Sequence, residues 1–441
     1  MFTYYLNLAL HSLMRNKVLT ALMVLAIAVG IGASMTTLTV MHLLSGDPLP
    51  GRSGTIFYPQ VNPAPTAHAN HGPYDLLDYR SAMDLWSAHR ADRQALLIEG
   101  SIKLHAPGVN LPPLMVPMLA TTMDFFSMFN VPLRYGHPWT AQDDAQRARV
   151  VVISADLNKR LFGGADSVGR MLRLRDKDLR IVGVLKPWRP SPRFYDVAGG
   201  NYASGQTSSL YQKAQNVFIP FSTGLDINDG NFDWFTCWGM LQAGSHEQEI
   251  SSCVWVRLWV QLNSATKVAA YRQFIAHYAT QQKALGRIAH DDDTRMLSLM
   301  QWLNYNHVVP SDVKLQTWLA FAFLAICLFN TIGLLLAKFL SHSGEIGVRR
   351  ALGASRQAVF AQCLTEAGLI GLLGGIGGLL LTLFGLWLVR RQPTEYADIA
   401  HLDAGMFLVT FALALAASLL AGVLPALRAS RVVPALQLKT L

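Results

Sequence analysis

The chain has 441 residues, of which 51% are hydrophobic and only 15% charged. Soluble domains carry nearer a quarter charged residues, so an ordinary water-soluble globular protein is excluded. Its formal charge of +9 would suit nucleic acid only if the basic residues formed one clustered face, and they do not. The four cysteines show no CxxC or Cys/His metal spacing.

In chain order, residues 1–17 come first. Phe2, Tyr5, Leu6, Ala9, Leu10, Leu13 and Met14 recur at i, i+3, i+4 spacing, with Asn7, His11 and Arg15 opposite. That pattern predicts a short amphipathic helix lying in a membrane interface. Residues 18–44 follow as a first transmembrane helix, since Val18–Met41 holds no charge. A bilayer core about 30 Å thick needs about 20 apolar residues. The run exceeds the ~7–15 residues of a signal peptide's apolar region, so a retained anchor is expected.

Residues 45–314 are of mixed character and predict an extracytoplasmic α+β domain of two lobes. Leu76–Ala88 and Val268–Leu285 read as helices, and Arg149–Ile153, Leu179–Leu185 and Val254–Leu262 as strands. Gly199–Gln215 reads as a mobile polar loop. Cys237 and Cys253, 16 residues apart, allow a disulfide in an oxidising compartment or two buried thiols. Asp291, Asp292 and Asp293 read as a solvated loop, and His68 and His71 lack a third ligand at metal-binding spacing, so no metal is expected.

Three further spans are predicted at 315–337, 359–389 and 404–427, separated by a loop at 338–358 and a short external loop at 390–403. The segments 1–17, 338–366 and 428–441 together carry nine basic residues against Glu345 and Glu366, a surplus of seven. The positive-inside rule places these segments and both termini in the cytoplasm. Glu366 lies near the inner end of the third span, where an ionised group needs a partner. Arg350 and Arg356 are the candidates. Gly371, Gly374, Gly375, Gly377 and Gly378 permit close helix approach, within the subunit or at a dimer seam. Glu345–Leu352 predicts a short helix ended by Gly353. Two readings fit this helix: Ile346, Val348 and Leu352 fill a partner's hydrophobic groove with Arg349 and Arg350 at its rim, or the basic residues anchor the loop against lipid headgroups.

Several stretches resemble the FtsX/MacB-like family of ABC-transporter permeases. These are Gly344-Glu-Ile-Gly-Val-Arg-Arg-Ala-Leu-Gly-Ala354 and Leu424-Pro-Ala-Leu-Arg-Ala-Ser-Arg-Val-Val-Pro434. In the external part they are Met123–Phe126, Arg160–Ala165, Ile181–Val184 and Val217–Pro220. The resemblance implies a MacB-type periplasmic core joined to an FtsX-type transmembrane domain in a bacterial inner membrane. It makes 344–354 the coupling helix that docks on an ABC ATPase. No Walker-type G-x-x-x-x-G-K-[ST] occurs in the sequence. ATP and Mg are therefore expected in two copies of a partner ATPase, with no cofactor on this chain and no enzymatic activity of its own. A second permease subunit, a periplasmic adaptor and an outer-membrane duct complete the implied assembly, and the first two spans would continue outward as a stalk. Export of a small hydrophobic compound, antibiotic or peptide leads. Lipoprotein release and regulation of a cell-wall hydrolase are the alternatives.

Overall fold

The computed structural model describes residues 8–9, 12–64, 72–105, 112–197, 208–233, 235–238, 252–309, 311–392, 395, 397–402 and 404–431. The chain divides into two compact units, residues 1–45 with 309–441, and residues 46–308.

Among the described residues the first unit holds four helices long and apolar enough to cross a membrane: Lys17–Ser45, Ser311–Ser341, Arg356–Val389 and Ala404–Ser430. In lipid each backbone polar group must be satisfied within the helix. The hydroxyls follow the same logic, since Thr317, Thr331, Thr382 and Thr410 each donate to the carbonyl four residues back. Ser34 instead donates across to the Ala320 carbonyl at 2.9 Å, joining the first two spans.

The third span packs against both the first and the fourth, and its glycines explain how. A Cβ at Gly374 or Gly378 would stand 2.6 Å or 2.8 Å from Ile27 or Ile31 of the first span. A Cβ at Gly371 or Gly375 would meet Ser418 or Ala414 of the fourth at 1.9 Å or 2.7 Å. The glycine run is thus two rows at i, i+4 spacing, each admitting one neighbour of the same subunit. Without a hydrophobic force between helices in lipid, this close contact is what dispersion can act on.

The second unit is built on a ten-stranded sheet. Its strands are β1 Ile56–Val61, β2 Arg93–His105, β3 Leu114–Thr121, β4 Leu133–Gly136, β5 Val150–Ile153, β6 Met171–Leu174, β7 Lys177–Leu185, β8 Val217–Pro220, β11 Arg257–Gln261 and β12 Thr294–Ser298. The order runs β12-β1-β11-β2-β3-β8-β5-β7-β4, and β6 pairs both β2 and β7. Strands β2, β3, β8, β5, β7 and β6 therefore close on themselves, while β11, β1 and β12 form an open wing. The thirteen-residue β2 serves both regions. Arg93–Leu97 pairs with β11, and Leu97–Leu104 with β3. Strands β3/β8 and β5/β7 run parallel, which periodicity along one strand does not encode.

Helix Tyr79–Ser87 begins three residues later than Leu76, because Leu77 is held in a bridge to Val256 and Asp78 caps the first turn by accepting from the Ser81 N–H. Helix Ala265–Ala284 starts earlier than Val268, capped by Ser264. The expected strand Val254–Leu262 is broken. Strand β10, Cys253–Val254, pairs with β9, Thr236–Cys237, before the chain turns through Trp255 and Val256 into β11. Cys237 and Cys253 face each other in that small hairpin and are disulfide-bonded. The expected mobile loop 199–215 falls partly outside the described residues. Its later part is not loose: Leu210, Tyr211 and Gln215 are buried.

Gln215 joins a buried ionic cluster. Arg193 reaches Glu99 at 2.8 Å and Asp196 at 2.5 Å, and Arg257 lies 3.2 Å from Asp196. Gln215 donates to Glu99 at 3.0 Å and accepts from the Tyr195 hydroxyl at 2.8 Å. Burial, reinforced by the charge of Asp196, pushes Glu99 up to about 8. Burial also opposes ionisation of Asp196, but Arg193 and Arg257 outweigh it and hold that group below its ordinary value. The cluster ties the 193–196 turn to β2 and β11. Of the acidic run 291–293, Asp291 pairs with Lys283 at 2.7 Å and Asp293 accepts from Asn62 at 2.7 Å. His68 and His71 lie outside the described residues.

Candidate functional site

The residues singled out by the sequence gather at one end of the four-helix unit. The second span ends at Ser341, and a short helix, Ser343–Ala351, begins after His342 alone. Gly353 takes φ +102°, a conformation that strains other residues. Its N–H donates to the Arg350 carbonyl at 3.2 Å, and the Ala354 N–H to the Arg349 carbonyl at 3.1 Å. Ser355 then caps the third span by accepting from the Ala358 N–H. The short helix is thus a tight elbow joined to two spans with almost no slack.

The expected docking face divides in two. Leu352 is 83% exposed and Val348 42%, but Ile346 is only 9% exposed. Ile346 packs inside the bundle with Leu13, Phe339 and Cys363, so it anchors the short helix to its own chain and offers a partner nothing. The reason is geometric: Ile346 lies two residues before Val348, which on a helix is most of the way to the opposite face. Arg349 donates to Gln362 of the third span at 3.0 Å, and Arg350 to the Ser430 carbonyl at the end of the fourth at 3.4 Å. Glu345 pairs with Arg15 at 2.6 Å, both well exposed.

The partner of Glu366 is neither Arg350 nor Arg356. It is Lys338, in the last turn of the second span, which forms an ion pair with Glu366 Oε1. The two side chains are 1% and 6% exposed. Ser12 Oγ donates to the same oxygen at 2.8 Å. Arg356 is exposed at the start of the third span. Lys338 follows an apolar run, where a basic residue reads as a flanking charge, yet a helix turn carries it inward. An opposite charge at the same end of the next span was the available signal. Ser12 had none. Within the amphipathic segment 1–17 the described residues are 8–9 and 12–17, of which 8–9 and 12–15 are helical, with Ala9 and Leu13 buried and Met14 exposed.

A cavity of about 170 Å³ opens beside this pair, with Arg15, His342, Glu345 and Arg349 on its walls. Among the described residues no group of three His, Cys, Asp or Glu is placed to hold a metal. The short helix is tied at several points to the segment and spans around it.

Comparison with known families bears on this geometry. The MacB-like periplasmic core domain matches residues 20–278, and the FtsX-like permease C-terminal domain matches residues 318–434. The macrolide export ATP-binding/permease protein MacB 2 of Aeromonas hydrophila subsp. hydrophila is 22% identical across 97% of this chain and 59% of its own length. The pyoverdine export ATP-binding/permease protein PvdT of Pseudomonas aeruginosa is 21% identical across 70% of this chain and 40% of its own. This chain therefore spans less than two thirds of either relative's length. The crystallised periplasmic region of MacB from Actinobacillus actinomycetemcomitans aligns with 57% of this chain and 94% of its own at 12% identity, with a TM-score of 0.35. With both family domains in the order expected of four spans and one large external domain, the chain belongs to the MacB/FtsX-like family of ABC-transporter permeases.

Proposed function

We propose that this chain is the permease subunit of an exporter that converts ATP hydrolysis in a separate ABC ATPase into motion of residues 46–308. The observation that carries this is the elbow 343–353. Leu352 and Val348 are held out on a short helix whose Ile346 is locked into the bundle. Exposed apolar side chains on a rigid, otherwise polar tip suit a partner's groove. Because one residue links the elbow to the second span and a capped turn links it to the third, a push on Leu352 is delivered to both.

The surplus of seven positive charges on segments 1–17, 338–366 and 428–441 supports a cytoplasmic elbow and cytoplasmic termini. The Cys237–Cys253 disulfide supports an oxidising, extracytoplasmic setting for residues 46–308. The relatives named for macrolide and pyoverdine export support a small, partly apolar export substrate. The working assembly is two ATPase copies on two permease subunits, with an adaptor and an outer-membrane duct carrying substrate onward.

The test is Leu352→Asp combined with Val348→Asp. The doubly substituted chain is expected to insert at wild-type level but to lose its co-purifying ATPase. Undiminished co-purification refutes docking at this face.

A further inference from the structure

The buried pair at the base of the elbow has a role that its energetics alone do not explain. Lys338 and Glu366 are both withdrawn from solvent among Phe339, Ile346, Cys363 and Ile370. Replacing such a pair with apolar residues is often neutral or stabilising, so its presence is weak support for a purely stabilising role. The better-attested use of a buried polar contact is to select one register among several of similar packing energy.

The geometry favours that use here. Glu366 collects Lys338 from the second span and Ser12 from the segment before the first, while itself belonging to the third. Three separate segments are thus pinned through one carboxylate. The elbow's other ties are of a different kind. Arg15–Glu345 is exposed, and Arg349–Gln362 and Arg350–Ser430 are only part-buried. Exposed pairs contribute little. The His342 ring also contacts the Lys338 carbonyl at 2.9 Å, so the residue that joins the span to the elbow touches the pinned turn. Glycine rows set how near the third span lies to its neighbours, but smooth small-residue surfaces discriminate poorly between axial positions. A point contact between opposite charges discriminates well, since a shift of one helical turn, about 5.4 Å, would bury both charges unpaired.

We infer that Lys338, Glu366 and Ser12 form a positioning node that fixes the axial register of the second and third spans, and through it the angle at which the elbow meets its partner. This rests on the docking reading for its consequence, but the register itself is a property of this chain. The three residues act through the elbow and touch no nucleotide or substrate.

The experiment uses the full chain in nanodiscs with Cys327 and Cys363 replaced by alanine. The register is read through the elbow angle it sets, by bridging Arg349→Cys on the elbow and Gln362→Cys on the third span with a short bis-maleimide. Coupling is read separately, without those two cysteines, as ATP turnover of the complex that co-purifies. Lys338→Met with Glu366→Leu should insert normally and still bring down ATPase, yet lose bridging and turn over ATP roughly tenfold more slowly, a typical size for coupling between distinct sites. The exchanged pair, Lys338→Glu with Glu366→Lys, should restore both readouts, because the Ser12 hydroxyl can accept as well as donate. Wild-type bridging and turnover in the apolar variant overturn the inference. So does failure of the exchanged pair to recover either readout, which would reduce the site to side-chain packing. If the wild-type chain brings down no ATPase, the docking reading falls, and bridging yield alone decides the register.

Discussion

Asp196→Asn offers a quantitative trial of the ionic cluster in the external domain. Asp196 is 3% exposed and Arg257 1%, and Arg193 shares its charge between Asp196 and Glu99. Removing one member of a buried charge pair costs about 3–5 kcal/mol, because a charge is left without compensation. Here the lower end applies. Without the neighbouring Asp196 charge, Glu99 ionises more readily and takes over part of the pairing. At roughly 2–4 °C per kcal/mol for a domain of this size, a loss of about 3 kcal/mol lowers Tm by roughly 6–12 °C. The assay is thermal unfolding of residues 46–308 produced alone, a unit with its own core, followed by circular dichroism from pH 4.5 to 8.5. The sign of the pH effect is fixed. Glu99 binds its proton more tightly folded than unfolded, so its contribution is complete below its ordinary value near 4.5 and disappears as pH rises to about 8. Asp144, buried and pushed up to about 7, acts in the same direction. The wild-type domain should lose stability across that window, and Asp196→Asn should lose less, since the Glu99 shift shrinks. A Tm change below ~2 °C, or a steeper pH dependence in the variant, would refute the assignment.

Gly374→Ala puts a methyl 2.6 Å from Ile27, and overpacking of this kind costs about 1–3 kcal/mol. Thermal stability in detergent should fall, whereas Gly333→Ala, with nothing within 4 Å, should leave it unchanged. Cys253→Ser opens the hairpin closed across 16 residues and should cost about 3 kcal/mol. Unfolding of the wild-type domain in reductant should then match that of the variant. Lys338→Met alone strands Glu366 in the bundle and should reduce the yield of inserted chain below that of the Lys338→Met, Glu366→Leu pair. Western quantification of membrane fractions reads the difference.

The four spans and their order were legible from charge-free length, because lipid imposes that constraint on sequence directly. The elbow was legible too, since Gly353 must end its helix and the motif around it is local. The division of its face was not. Whether Ile346 points to a partner or into its own bundle depends on Leu13 and Phe339, far away in sequence. Lys338 escaped for the same reason: a charge at the end of an apolar run reads as a boundary until the neighbouring helix supplies its counterion. In the external domain, strands with strong β-branched runs, such as Val150–Ile153, stood out on their own. The break at Trp255 and Val256 did not, because two different sheets claim the residues on either side. The two-row division of the third span's glycines needed both neighbours in place before it had meaning.

The circuit of six strands has a mechanical corollary. In a closed loop of hydrogen-bonded strands no member can slip without breaking ladders on both sides, so β2, β3, β8, β5, β7 and β6 behave as one stiff hoop. The flap of β11, β1 and β12 shows no such closure, because among the described residues β12 is bordered by β1 alone. The two are joined through β2, whose Arg93–Leu97 pairs with β11 and whose Leu97–Leu104 pairs with β3.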